Sequence, residues 1–214
     1  IINNPHVKKA LEYLGKSLSS SVDPSGGVFY PESFEKHFTF NDLTHQGALI
    51  GIRIEGPSIS VDQRIKRLCK ELDLLVNEYS VLDAEQSNIF WNKTRNLEVF
   101  SNTKKNLVRI VVPMSETLNL LQKLKNIDFR YFLDWGGSLI WFELNDISIK
   151  ILNEIREITK QHSGYFTLIK VEEDMKASAD IFTIDPIKYK ISEKIKKSFD
   201  PKRILNPGKM YTGI

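Results

Sequence analysis

At 214 residues, 41% apolar and 27% charged, the chain holds material for one substantial core or two small ones, which excludes disorder as a whole-chain description. A formal net charge of +3, from 30 basic and 27 acidic residues interspersed along the sequence, is too small to indicate a polyanion partner. The single cysteine, Cys69, excludes an internal disulfide and a Cys-rich metal site and fits a reducing compartment, and the longest apolar runs are far too short to span a membrane.

Asn4-Pro5 reads as an N-cap followed by Pro at the first helical position, and Val7, Leu11, Leu14 and Leu18 then form an apolar stripe. Val28 to Tyr30 predicts a short strand, the segment 34–46 an irregular connection, and the alternation of Ala48, Ile50, Ile52 and Ile54 a second strand. Ser60 to Gln63 has the form of a capping box, opening a helix with Val61, Ile65, Leu68, Leu72 and Leu75 on one face. A strand over 76–82 and a helix from Ala84 to about Phe100 follow. The next section is the most regular. It runs as a strand (107–112), a short helix capped by Ser115, a strand (129–135), the turn Gly136-Gly137, a strand (138–144), a helix marked by Ile147, Ile151, Ile155 and Ile158, and a strand (165–171).

That order is βαββαβ, the ferredoxin-like unit. The first half shows the same order without its opening strand, Ile1-Ile2 standing where that strand would end. The expected fold is therefore α+β: an antiparallel sheet flanked by helices, built from two ferredoxin-like units of which the first is truncated. The halves span about 1–100 and 101–180. Residues 181–214 add a helix opened by Asp185-Pro186 and an apolar, non-periodic tail, in which Asp200-Pro201 stops the helix and Asn206-Pro207-Gly208 forms a turn.

Little of the usual catalytic vocabulary is present. His6, His37, His45 and His162 show no metal-ligand spacing, and neither a nucleophile elbow nor a phosphate-binding glycine loop occurs. The aromatic strand Phe129 to Trp135 on a ferredoxin-like sheet leaves open a non-catalytic ligand- or RNA-binding module. Against RNA, the Lys/Arg-Gly-aromatic signature is missing and Asp134 would repel phosphate, so no nucleic-acid partner is expected. Two arginines stand out. Arg109 interrupts an apolar strand on the face of Leu107 and Val111, and Arg95 follows Trp91 by one helical turn; each would bind a carboxylate, from the protein or from a ligand.

Taken together, Phe90-Trp91-x-x-x-Arg95, Leu107-Val108-Arg109-Ile110-x-x-Pro113, Leu133-Asp134-Trp135-Gly136-Gly137-Ser138-Leu139-Ile140-Trp141 and Phe199-Asp200-Pro201-x-x-Ile204-Leu205-Asn206-Pro207-Gly208-Lys209-Met210-Tyr211 form a series. It resembles the C-terminal half of the FAD-binding small flavoprotein subunit of the bacterial glycolate oxidase (glycolate dehydrogenase) complex, within the FAD-linked oxidases of the vanillyl-alcohol-oxidase type. The resemblance implies a cap (substrate) domain over residues 1–180 and a flavin-facing tail, with FAD bound mainly by an N-terminal domain outside this chain; the sequence without an initiator Met is expected to be the cap-bearing part, colourless and inactive alone. It implies Asn206, Gly208 and Lys209 beside the flavin, and Arg95 and Arg109 as candidates for the carboxylate of a small 2-hydroxy acid. It also implies partners: the chain's own FAD domain, a larger flavoprotein subunit and an iron–sulfur subunit, in the cytoplasm or peripherally at the inner membrane through the complex. Two departures bear on mechanism. No cap histidines have the metal-binding spacing of related 2-hydroxyacid dehydrogenases, and Tyr165 stands where the small subunit carries His, so no catalytic base is assigned.

Overall fold

The computed structural model describes residues 1–37, 47–101, 103, 105–145, 148–171, 175, 180–183 and 185–207. Seven strands form one sheet in the order β1-β3-β2-β5-β6-β4-β7, every pair antiparallel. They are β1 (Ile2–Asn3), β2 (Gly26–Tyr30), β3 (Leu49–Arg53), β4 (Asn106–Val111), β5 (Phe129–Asp134), β6 (Leu139–Leu144) and β7 (Tyr165–Lys170). The helices are α1 (Val7–Ser19), α2 (Ser58–Glu71), α3 (Ala84–Arg95), α4 (Met114–Lys123), α5 (Ile149–Gln161) and α6 (Pro186–Phe199). The α+β fold is as expected. The second unit runs β4-α4-β5-β6-α5-β7, and the first meets it where β2 pairs with β5 at Phe29 and Leu133.

Alternation makes the sheet two-faced. One face carries Phe29, Ile50, Val108, Ile110, Ile140 and Phe142 into a core with Leu11 and Leu14 of α1, Leu68 of α2, Leu120 of α4 and Leu152 of α5. The other carries Val28, Tyr30, Leu49, Leu107 and Phe132 against Phe90 of α3 and against Val99 and Phe100 in the 3-10 turn Glu98–Phe100. Aromatic packing is dense on this second face: Tyr30 stacks on Phe132 at 4.7 Å, and Phe90 meets Tyr30 edge-on at 6.2 Å.

Several expectations are corrected by long-range hydrogen bonds. Asn4 does not cap α1. It takes a left-handed φ of 53° while its N–H binds Ala48 O, and His6 Nδ1 accepts from Lys9 N as the actual cap. The capping box at Ser60 does not form, because α2 begins two residues earlier with Pro57 as its N-cap. That helix ends at Glu71 with Leu72 as its C-cap, and Asp73 turns left-handed, leaving Leu75 66% exposed instead of on its stripe. The expected strand over 76–82 shrinks to a single bridge between Tyr79 and Ile2, flanked by the bonds Asn3 N to Glu78 O and Ser80 N to Ile1 O. The opening strand of the first unit is the two-residue β1, truncated as expected, and the closing one is a stub. Helix α3 stops at Arg95 because Leu97 turns left-handed, with a φ of 53°. Pro113, not Ser115, is the N-cap of α4.

Beyond β7, Ile181 O and Thr183 N bond to Leu168 N and Phe166 O, so the chain follows the sheet edge before α6 begins. Asp185 caps α6 through Ile187 N and Lys188 N, with Pro186 in its first turn, as the sequence predicts. Ile187, Ile191, Ile195 and Phe199 lie exposed along this helix. Among the described residues, no helix is long and apolar enough to cross a membrane.

Candidate functional site

The site is built on the α3 face of the sheet. Asp83 and Gln86 form a reciprocal capping box at the start of α3. Its inner side is then fixed by Phe90, which is fully buried, and by Thr94, whose Oγ1 accepts from Tyr30 Oη at 3.1 Å and donates to Phe90 O. Burial pushes the Tyr30 phenol pKa far up, so the hydroxyl stays a donor. Phe90 can lie this close to β3 because residue 51 is Gly: a Cβ there would come within 2.6 Å of Phe90 Cε1. With that side anchored, Trp91 and Arg95 face the neighbouring space one turn apart.

That space is a cavity of about 510 Å³ between α3 and the strands, whose walls include Arg53, Arg95, Arg109, Asp134, Trp135 and Trp141. Trp91 also lines it, so all three tryptophans of the chain stand in one wall. Register explains the placement. Arg109 of β4 pairs with Trp141 of β6, which pairs with Phe132 of β5, so Arg109 meets an aromatic row on the β6 side and Thr167 of β7 on the other. At the end of β5 the chain turns through the 3-10 segment Trp135–Gly137, with φ of 50° at Trp135, 65° at Gly136 and 100° at Gly137. The two glycines take these angles readily; a bulky indole in the left-handed region does not. The result is a Trp135 ring 58% exposed with the Arg109 guanidinium 4.9 Å from its centre, and Trp141 at 6.0 Å from the same guanidinium.

The charges in this wall are incompletely matched. Arg53 pairs with Glu55 at 2.8 Å, whereas Arg95 and Arg109 form no ion pair among the described residues. Asp134 is the acid of the cavity. Its Oδ1 accepts from Trp135 N at 2.7 Å, and burial raises its carboxyl pKa against the opposing pull of that N–H and of Arg109. The indole Nε1–H of Trp141 is buried and finds no acceptor among the described residues. Two guanidiniums without ion pairs make a wall suited to an anionic oxygen ligand.

The two arginines singled out in the sequence are thus brought into one cavity. Tyr165 lies on the same face, paired with Val111 two residues beyond Arg109, 58% exposed and with Lys188 Nζ 4.9 Å from its ring centre. Asn206 is exposed in the tail with a φ of 45°, away from the cavity wall, while Gly208 and Lys209 lie outside the described residues. Of the histidines, His6 caps α1 and His162 Nδ1 lies 2.7 Å from Glu116, joining α5 to α4; His45 and the His37 side chain lie outside the described residues. Among the described residues, no three His, Cys, Asp or Glu side chains cluster as a metal site would. Sequence reading missed Asp134 and Arg53 as wall residues. The signal for Asp134 was the Asp-Trp-Gly-Gly turn, since a short acid before a positive-φ turn caps it and stays at the strand end.

In the tail, Asp200 does more than end α6. Its carboxylate accepts from Ile204 N, Leu205 N and Lys196 Nζ, the last at 2.7 Å, and the Lys196 ammonium in turn reaches Leu205 O. These contacts hold the Asp200 pKa down to about 2, the lysine being the largest cause.

Residues 182–210, covering α6 and this tail, match the family model described as FAD linked oxidases, C-terminal domain. No curated protein matches the sequence. Among solved structures, the fold is similar to 4-ethylphenol oxidase from Gulosibacter chungangensis, in its isoeugenol complex, with a TM-score of 0.58 at 12% identity. The match covers 97% of this chain and 52% of that one, so the chain spans about half the length of the oxidase it resembles.

Proposed function

We propose that this chain is the cap of an FAD-dependent oxidoreductase that oxidises a small 2-hydroxy acid such as glycolate, with Arg95 and Arg109 holding the substrate carboxylate. The observation that carries this reading is the pair of guanidiniums without ion pairs in one tryptophan-walled cavity, in a chain whose C-terminal segment matches an FAD linked oxidase family model. A planar guanidinium held beside an indole by a cation–π contact can give a carboxylate two parallel hydrogen bonds.

The residues present fit the ring end of a flavin. The exposed Trp135 indole offers a flat contact surface, and Asn206, Gly208 and Lys209 are the residues proposed to approach the ring from the tail. The dinucleotide end would be held by sequence outside this chain. FAD supplies an acceptor for the hydride that leaves the hydroxyl-bearing carbon. This chain's part is to orient the acid, exclude water with its tryptophans, and neutralise the carboxylate. Assembly with a larger flavoprotein subunit and an iron–sulfur subunit is part of the same proposal.

Intrinsic fluorescence tests it directly, because every tryptophan of the chain lines the cavity. Titration with glycolate is expected to shift the emission saturably, and Arg95→Ala and Arg109→Ala each to weaken the response. Unchanged affinity in both variants would sink the carboxylate assignment. Stoichiometric yellow flavin on the 214-residue chain alone would overturn the division of labour with an outside FAD domain.

A further inference from the structure

Among the described residues, Asp134 is the one carboxylate in a wall that also presents three arginines, three indoles and the amides of Asn88 and Asn92. Its Oδ1 is committed to Trp135 N, and neither Arg95 nor Arg109 pairs with it. The second oxygen makes no hydrogen bond among the described residues. The side chain is half-buried at the end of β5, where the Asp-capped turn through Gly136 and Gly137 fixes its backbone. Burial raises its pKa against the opposing pull of the Trp135 N–H and of Arg109.

A carboxylate beside two unpaired guanidiniums gives the cavity polarity. A ligand anion will settle on the arginine side and be repelled by Asp134. A ligand that also carries a hydroxyl donor can turn that donor toward Asp134 and meet its free oxygen. A ligand without one leaves the carboxylate both unmatched and close to a like charge. Acetate and glycolate are both ionised at neutral pH and differ only by that hydroxyl, so the arginines alone would treat them almost alike.

We infer that Asp134 is the residue that selects hydroxy acids over unsubstituted acids, by accepting the hydrogen bond of the substrate hydroxyl while Arg95 and Arg109 hold the carboxylate. The inference rests on the carboxylate assignment of the two arginines and adds a discriminating element opposite them. Asp134 is thereby the group of this chain nearest the hydroxyl proton that oxidation must remove.

The test is the tryptophan emission of the 214-residue chain titrated with glycolate and with acetate. Wild type is expected to prefer glycolate by about tenfold to a hundredfold, the range of one hydrogen bond to a charged acceptor. Asp134→Asn keeps an oxygen able to accept from Trp135 N but removes the negative charge. It is expected to bind acetate at least as well as wild type, which also reports an intact cavity, and to lose most of the preference. Should this variant unfold, glycolate against acetate on wild type still decides. Equal affinity there, or an undiminished preference in a folded Asp134→Asn, overturns this inference alone. Binding of neither acid overturns the carboxylate assignment beneath it.

Discussion

The guanidinium of Arg109 sits 4.9 Å from the centre of the Trp135 ring, on a residue whose backbone is held in the left-handed region at a φ of 50°. Arg109 forms no ion pair among the described residues, and its charge is the smallest of the influences on the neighbouring Asp134 carboxyl. Arg109→Ala should therefore cost only about 1 kcal/mol in stability, the scale of a half-exposed cation–π contact. Arg109→Lys keeps the charge but not the planar fork, and is expected to weaken glycolate binding about tenfold. Fluorescence titration beside thermal melts checks both; a Lys variant with wild-type affinity would show that charge alone suffices.

Trp135 lends itself to a comparison of two substitutions. The left-handed conformation costs a non-glycine residue about 1 kcal/mol or more, and glycine almost nothing. Trp135→Gly and Trp135→Ala remove the same indole contact, so both should weaken acid binding equally. The glycine variant should nonetheless be more stable than the alanine one by about 1 kcal/mol, or about 2–4 °C in melting temperature. Equal stability would mean that this turn stores no backbone strain.

Much of this site was legible in sequence because it is locally encoded. The alternation of β4 puts Arg109 on a defined face, and the four-residue step from Trp91 to Arg95 puts both on one side of α3. The βαββαβ order of the second half was equally readable, since each of its elements carries its own period. What escaped is set by distant partners. Asn4 looks like a cap until Ala48 O takes its N–H. The 76–82 segment has strand composition, yet β1 is only two residues long and offers it a single bridge. One sheet for both units was expected, but the strand pair that joins them, Phe29 of β2 with Leu133 of β5 across 104 residues, is announced by no local pattern.

Phe90 connects core and site. It is wholly buried and flanked by Tyr30 and Trp91 at 6.2 and 5.3 Å. Phe90→Ala should cost about 3–5 kcal/mol through lost burial and a cavity. Because Trp91 and Arg95 ride on the same helix, acid binding should fall as well, beyond any loss of folded protein. Denaturant melts paired with titration under fully folded conditions separate the two effects. Full affinity in the folded variant would detach α3 packing from the site.

Glu143 is 1% exposed on the site face of β6, bonded by Arg130 Nε at 2.7 Å with Lys105 Nζ at 3.8 Å. Burial alone would raise its pKa, but the hydrogen bonds from Arg130 and Thr103 and the nearby positive charges outweigh it and hold the value below the ordinary carboxylate range. A depressed carboxylate stabilises the fold above its unfolded pKa of about 4.3, and that contribution is lost as pH falls through the folded value. Arg130→Ala leaves a buried charge poorly matched and should cost about 3 kcal/mol at neutral pH. The penalty should shrink on acidification as Glu143 takes up a proton. A penalty independent of pH would assign it to the lost contact between Arg130 and the Phe34 ring, 5.0 Å away.

Asp200 gives the tail a corresponding acid dependence. Its pKa is held at about 2 by Lys196 and by the Leu205 and Ile204 amides, against an ordinary value of 3.8. Because the folded value is the lower one, the carboxylate favours the folded tail above about pH 4, and this contribution disappears as pH falls toward 2. The amides of Ile204 and Leu205 should therefore lose hydrogen-exchange protection over that window, once the steep pH dependence of intrinsic exchange is divided out. Asp200→Asn should lower their protection already at neutral pH, since the Lys196 ammonium loses its counter-charge while Asn offers only one acceptor for two amides. Helix α6 upstream is capped independently by Asp185 and should keep its own protection. If α6 and the tail lose protection together, the Asp200 contacts hold the whole C-terminal segment in place, and not only the turn that carries Asn206.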